Sequence, residues 1–339
     1  MNVMFGIRTH GQTHRKPYVD ATMIMKAIAA VLLLTLSGAH AQDYPLRPLR
    51  AIVGFAAGGQ IDAITRIVTA KMSEGLKQTV VVENRPGAGS SIAAELVARS
   101  TPDGYTVYFA TNSVAVNHVL TPRTAPDPVK SFTPVSLIAT AESVLLVNAA
   151  VPAKTVSELI NWAKKAGNIN YATTGLGTPA YLGMEFLKYQ TGMRAEMVLY
   201  KDVGQAGADA ASGRVQLWMT LLTPSLPLIQ TGKLRPLAVS GPKRMASLPE
   251  VPTFREIGFP TLQAASWYSI LVPAGTPPGP VARLAAEAKR ALGYEDVKQK
   301  LATLAIEPAG SSAAEVSRVL NDELERIRLL VKLGVLKIE

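Results

Sequence analysis

AIVGFAAGGQIDAITRIVTAKM (residues 51–72) reads as a strand, a glycine turn and a helix. The opening residues, Ala51 to Phe55, form a β-rich run that stops at Gly58-Gly59. Apolar residues then recur at Ile61, Ile64, Ile67 and Val68, the spacing of one helical face, so the turn opens a helix. The first N–H groups of a helix lack intrahelical acceptors and carry the positive end of its dipole. The turn is therefore a candidate for holding a carboxylate or phosphate. An ordinary tight βα connection would use the same two glycines, and this stretch taken alone leaves both readings open. Asp62 lies in the first helical turn, where a carboxylate either caps the helix or fixes the loop by accepting from its backbone N–H groups.

Upstream, Met25-Lys26, the apolar run AIAAVLLLTLSG and Ala39-His40-Ala41 have the order of an export signal: basic start, short apolar core, small-residue cleavage pattern. Residues 1–41 are expected to be removed by cleavage after Ala41, with Met23 or Met25 as the true start. The apolar core is shorter than the about 20 residues of a membrane span, and no later stretch is long and apolar enough. Losing four basic residues and one acidic one takes the formal charge from +10 to +7. Such a field favours anionic solutes, while the scattered Lys and Arg form no nucleic-acid patch. Cysteine is absent, which excludes disulfides and thiolate chemistry. The remaining length suits two domains with a cleft between them, or one large domain.

Strand-like and helix-like segments alternate along the mature chain, which predicts α/β layers with largely parallel sheets. Three βα units precede residue 130, and Ser90 or Ser91 is expected to cap the helix after the turn RPGAGSS. An apolar β-like segment from Pro134 to Val147 is a candidate first crossing between domains, and WYSILVP (residues 267–273) a candidate return. The lobes are expected at 44–135 with 270–339, and at 136–269.

A second glycine turn contains Gly175, Gly177 and Ala180 in a G-x-G-x-x-A pattern between a strand and a helix, the form of a dinucleotide fingerprint. The acid about 20 residues on, Glu196, precedes the next strand instead of ending it, so the geometry does not suit ribose. A second anion-accepting helix start opposite Gly58-Gly59 fits better. Hydrolytic motifs are missing, and His118 is the one histidine left after signal removal. No catalytic residue, metal site or cofactor is expected.

The ordered motifs YPLRPLRAIVGFAAGGQID, VVVENRPGAGSSIAAELVARSTPDGYTVYFATNS, KSFTPVSLIA, VNAAVPAKTVSELINWAKKAGNINYATTGLGTP, VLYKD, GKLRPLAVSGPKRMASLPEVPTFREIGFP and ILVPAGTPP resemble the Bug family, the solute-binding receptors of tripartite tricarboxylate transporters. ENRPGAG, PDGYT and LPEVPT are particularly distinctive. The resemblance implies a two-lobed periplasmic-binding fold of type II that closes like a flytrap on a small carboxylated solute. It also implies a periplasmic, non-catalytic protein that serves membrane transporter subunits, and a monomer is expected. The family's ligand loops carry over to Phe55 to Asp62 in the first lobe, with Phe55, Gly58, Gly59 and Asp62 as site candidates, and to Thr174 to Thr178 in the second, with Thr174, Gly175, Gly177 and Thr178, while Thr111 and Asn112 line the same mouth. Tyr181, Asp202 and Trp267 are candidates for reading the rest of the ligand. Departures occur at Ala56 and Ala57, where the family usually has prolines, at Tyr181, where it often has His, and at Asp202 and Gln205. Two rivals stay open at this level: an exported enzyme acting on a carboxylated metabolite, and a ligand-sensing receptor for a membrane signalling partner.

Overall fold

A computed structural model describes residues 44–338 other than 176 and 305, so the expected signal region, residues 1–41, lies outside the described residues. The opening stretch forms β1 (Leu49–Val53) and α1 (Gln60–Leu76). On α1, Ile61, Ile64, Val68, Met72 and Leu76 are buried at helical spacing, which gives the helix one apolar face for the sheet. Two more βα units follow: β2 (Val80–Asn84) with α2 (Ser91–Ala98), and β3 (Thr106–Thr111) with α3 (Ser113–Leu120). Ser90 stands at the N-cap position of α2 but does not cap it. At φ +84° its hydroxyl turns inward and shares a hydrogen bond with the Tyr108 hydroxyl. Ser91 Oγ accepts from Asn117 Nδ2 at 3.1 Å. The expected cap is thus replaced by two tertiary bonds.

β4 (Phe132–Ala141) ends the first set, and β5 (Ser143–Asn148) opens the second after a single intervening residue. The second set continues through α4 (Val156–Ala166), β6 (Asn170–Thr173), α5 (Pro179–Thr191), β7 (Glu196–Leu199) and α6 (Val203–Ser212). It ends with β8 (Leu217–Leu221), α7 (Leu222–Gln230) and β9 (Leu234–Val239). β10 (Ser266–Pro273) returns to the first set, followed by α8 (Pro278–Gly293), α9 (Glu295–Thr303), β11 (Glu307–Ser311) and α10 (Ala313–Lys332). Thr155, Thr178, Asp202 and Ser312 cap α4, α5, α6 and α10, each accepting from the N–H three residues on.

The strands form two sheets, β11-β4-β10-β3-β1-β2 and β7-β6-β8-β5-β9, and the chain is two-lobed. The expected lobe limits at 135/136 and 269/270 fall inside β4 and β10, both of which belong whole to the first sheet. The sheets are mixed, which corrects the expectation of largely parallel pairing. β1 runs parallel to β2 and β3, and β6 to β7 and β8, whereas β10 and β5 are antiparallel to both of their neighbours. The cause is the crossing itself. β5 and β10 arrive from the other lobe, so they enter their sheets without the helical crossover that parallel neighbours require.

Both sheets thereby share one plan: three parallel strands, one antiparallel strand that has crossed over, then a fifth strand, to which the first sheet adds β11. In such a plan β1 and β3 finish at the same edge of one sheet, and β6 and β8 at the same edge of the other. The helices that follow these four strands all begin there. An apolar cluster containing Tyr108, Val116, Leu145, Tyr171 and Leu182 joins side chains from both lobes, and further clusters fill the remaining faces.

Candidate ligand cleft

The cleft lies at the carboxyl ends of the parallel strands, where open α/β sheets generally bind ligands. It has two chambers, of about 420 Å³ and 520 Å³, which share Gly59, Gln60, Thr178, Pro179 and Ser266 as a neck. The smaller chamber is bounded by Phe55, Thr111, Ser113, Asn117, Gly177 and Tyr268. The larger is bounded by Thr174, Val203, Trp218, Leu221, Thr223 and Leu304, among others. Among the described residues, no Asp, Glu, Lys, Arg or His lines either chamber. Hydrogen-bonding capacity therefore comes from backbone groups, hydroxyls and amides.

Three helices begin at the neck and the smaller chamber. α1 starts at Gln60 with no side chain capping it, and α3 at Ser113 likewise. α5 starts at Pro179, with Thr178 Oγ1 accepting from Tyr181 N–H at 3.2 Å and donating to Gly175 O at 3.0 Å. Helix starts that converge in this way concentrate N–H donors and positive dipole ends in one place, which favours an anion.

Asp62 sits beneath the first glycine turn, 4% exposed. Its Oδ2 accepts from Gly58 N–H at 2.9 Å and from Arg66 Nε at 3.0 Å, and its Oδ1 accepts from Asn84 Nδ2 at 2.9 Å. Asn84 also donates to Phe55 O at 3.0 Å, so the end of β2 and the helix start hold the turn together. Gly58 takes φ +83°, where a side chain would be strained. Burial alone would raise the Asp62 pKa, but the bonds from Arg66, Gly58 and Asn84 outweigh it and hold the carboxyl below its usual value. Asp62→Ala is expected to cost about 2 kcal/mol in a denaturant unfolding measurement, the scale of hydrogen bonds to a buried charge. Because the folded pKa is depressed, this contribution is present above the ordinary carboxylate range and is lost as pH falls through the folded value.

The sequence-selected residues divide. Phe55, Gly59, Thr111, Asn112, Gly177 and Thr178 border the smaller chamber, and Gly58, Gly59, Thr174 and Thr178 the larger. Gly175, Tyr181, Asp202 and Trp267, like Asp62, border neither. Tyr181 is 8% exposed and packs in the core, where burial first and Glu185 second push its pKa up. Asp202 spends its carboxylate on the α6 cap, with Gln205 N–H at 2.8 Å. Trp267 and Tyr268 alternate along β10. Tyr268 faces the cleft and donates to Gln60 Oε1, while Trp267 faces a separate cavity beside α10. Asn112 reaches the cleft, yet its side chain points the other way. Oδ1 accepts from Trp267 N–H at 2.9 Å, and Nδ2 donates to Ala265 O and Glu323 Oε2, both at 3.3 Å.

Ser266 and Tyr268 are cleft residues that sequence reasoning did not select, and Gln60 is one that it covered only as part of the loop Phe55 to Asp62. Gln60 follows directly on the glycine pair at the first helical position, a signal that was available. Ser266 and Tyr268 share one face of β10, but nothing in the alternation says which face meets a ligand.

Comparison with known proteins gives a consistent picture. The profile described as "Tripartite tricarboxylate transporter family receptor" matches residues 64–335. The chain is 31% identical to Protein BugT of Bordetella pertussis over 289 residues, covering 84% of this chain and 89% of that one. Among solved structures, one described as that of a periplasmic transporter is 37% identical with a TM-score of 0.73, covering 87% of this chain and 100% of that one. Another, an R. palustris protein solved with adipate, is 33% identical with a TM-score of 0.73, again covering 87% and 100%.

Proposed function

We propose, given that this chain belongs to the tripartite tricarboxylate transporter receptor family, that it captures a small carboxylate-bearing solute in the periplasm and delivers it to membrane transporter subunits. The family is one of solute-binding receptors, so the chain acts by binding and not by catalysis. The observation that carries the reading is the meeting of two glycine turns, Gly58-Gly59 before α1 and Gly175 to Thr178 before α5, at a neck bordered by no charged side chain. Backbone donors held in a partly desolvated place make strong bonds to an ionised acceptor. The adipate in the R. palustris relative supports a carboxylate as the class of solute.

In this reading the ligand carboxylate lies at the neck, between Gly59, Gln60 and Thr178, with Thr111, Gly177 and Tyr268 beside it. The two sheets behave as lobes that close on the solute by a hinge motion at the β4–β5 junction and the stretch entering β10. The receptor works as a monomer that presents its closed form to the transporter.

Thermal unfolding against a panel of mono-, di- and tricarboxylates tests the reading. A ligand present at a hundred times its Kd stabilises the folded state by about 2.7 kcal/mol, which for a chain of this size raises Tm by roughly 5–10 °C. No shift with any member of the panel would sink the proposal.

A further inference from the structure

The two chambers offer a ligand different chemistry. The neck and the smaller chamber gather the uncapped starts of α1 and α3, together with the start of α5, which Thr178 caps and Pro179 opens. The larger chamber touches the starts of α6 and α7, and each has fewer N–H groups to give than a full helix start. Asp202 places its carboxylate on the α6 start, one residue before the chamber-lining Val203. Pro224, third in α7 and also a lining residue, has no N–H to give. The rest of the wall is largely apolar or hydroxylic, including Trp218, Leu221, Leu304, Thr220 and Thr223. Val203 is 42% exposed at a helix start. A large aliphatic side chain left open on a cavity wall marks apolar surface that a ligand can cover.

We propose that this receptor prefers monocarboxylates over dicarboxylates, taking a solute whose single charged end sits at the neck and whose uncharged aromatic or aliphatic body fills the larger chamber. The inference rests on the receptor reading above and narrows it. A second carboxylate carried into the larger chamber finds no cation among the described lining residues to replace the water it gives up. An aromatic ring meets no such penalty. The 520 Å³ available is well above the about 150 Å³ that encloses benzene in an apolar protein cavity. This preference would set the chain apart from its adipate-holding relative.

Matched acids provide the test. Hexanoate and adipate share one carbon chain, 4-methylbenzoate and terephthalate share one ring, and within each pair the members differ by the second carboxylate. Isothermal titration of the purified protein, run beside the full carboxylate panel, is expected to show the monoacid binding at least ten-fold more tightly than its matched diacid. Val203→Lys introduces a cation at an exposed position on the far wall and is expected to lower that ratio at least ten-fold, with a circular-dichroism melt confirming that the variant is folded. A panel whose tightest ligand carries two or more carboxylates overturns the preference and leaves the receptor reading standing. A ratio unmoved by Val203→Lys in a folded variant overturns the assignment of the ligand body to this chamber. If no carboxylate binds at all, both readings fall together.

Discussion

Gly177→Val is expected to weaken carboxylate binding by at least about ten-fold, some 1.4 kcal/mol, while the unbound protein keeps a nearly unchanged unfolding midpoint. A Cβ at Gly177 would stand 2.6 Å from Val116 Cγ1, and valine adds two methyl groups beyond it. Gly177 belongs to the loop before α5 in the second lobe, whereas Val116 lies on α3 of the first. The clash is therefore between lobes, and a slight opening of the cleft relieves it without unfolding either one. Opening separates the starts of α1 and α5, which is why the effect falls on affinity. Calorimetric titration with any acid that binds the parent protein measures it, and undiminished affinity would remove the second glycine loop from the site. Gly175→Ala serves as a contrast. Its Cβ would meet Thr178 Cγ2 of the same loop at 3.1 Å, so any strain stays within one lobe.

Asn112→Ala is expected to have the largest effect on stability, about 3 kcal/mol, from the loss of several bonds at a buried position. Asn112 is 3% exposed and ties the end of β3 to β10 through Trp267 N–H and Ala265 O, and to α10 through Glu323 Oε2. Glu323, itself 4% exposed, retains Arg326 as its ion-pair partner in the variant but loses the amide donor. Three segments far apart in the chain lose their common anchor beside the strand that crosses between lobes. Denaturant unfolding reads the loss directly, and a melting point lowered by several degrees should accompany it. Asn112→Asp separates the two sides of the amide, since it keeps the acceptor for Trp267 N–H and sets a second carboxylate against Glu323. An Asn112→Ala variant as stable as the parent would show that these bonds contribute nothing net to the fold.

The first glycine turn was legible because the residues that specify its strand, turn and helix are close in sequence. A β-rich run, two glycines and an apolar residue every third or fourth place specify strand, turn and helix through local sterics and one buried face. The role of Asp62 was half legible. Its place in the first turn pointed to the loop N–H groups, and Gly58 N–H is one of its partners, but Asn84 joins from the end of another strand. The chemistry of Asp202 was legible as far as the residue type goes, because Asp is a good N-cap. That the cap consumes the carboxylate, leaving Val203 on the chamber wall, followed only from the fold. Ser90 shows the opposite outcome: a residue well suited to capping is drawn instead to Tyr108, eighteen positions away.

The amino-acid sequence alone thus decides the order of elements and the two glycine turns. Each of these follows from periodicity and turn chemistry within a short span of chain. Tertiary structure alone decides that β5 and β10 run antiparallel to their neighbours, that Tyr268 and not Trp267 meets the cleft, and that Asn112 turns its amide toward α10. A strand's two faces are equivalent to its own residues. They become inside and outside only when sheets from distant parts of the chain pack against them, and which face a ligand sees is settled by that packing.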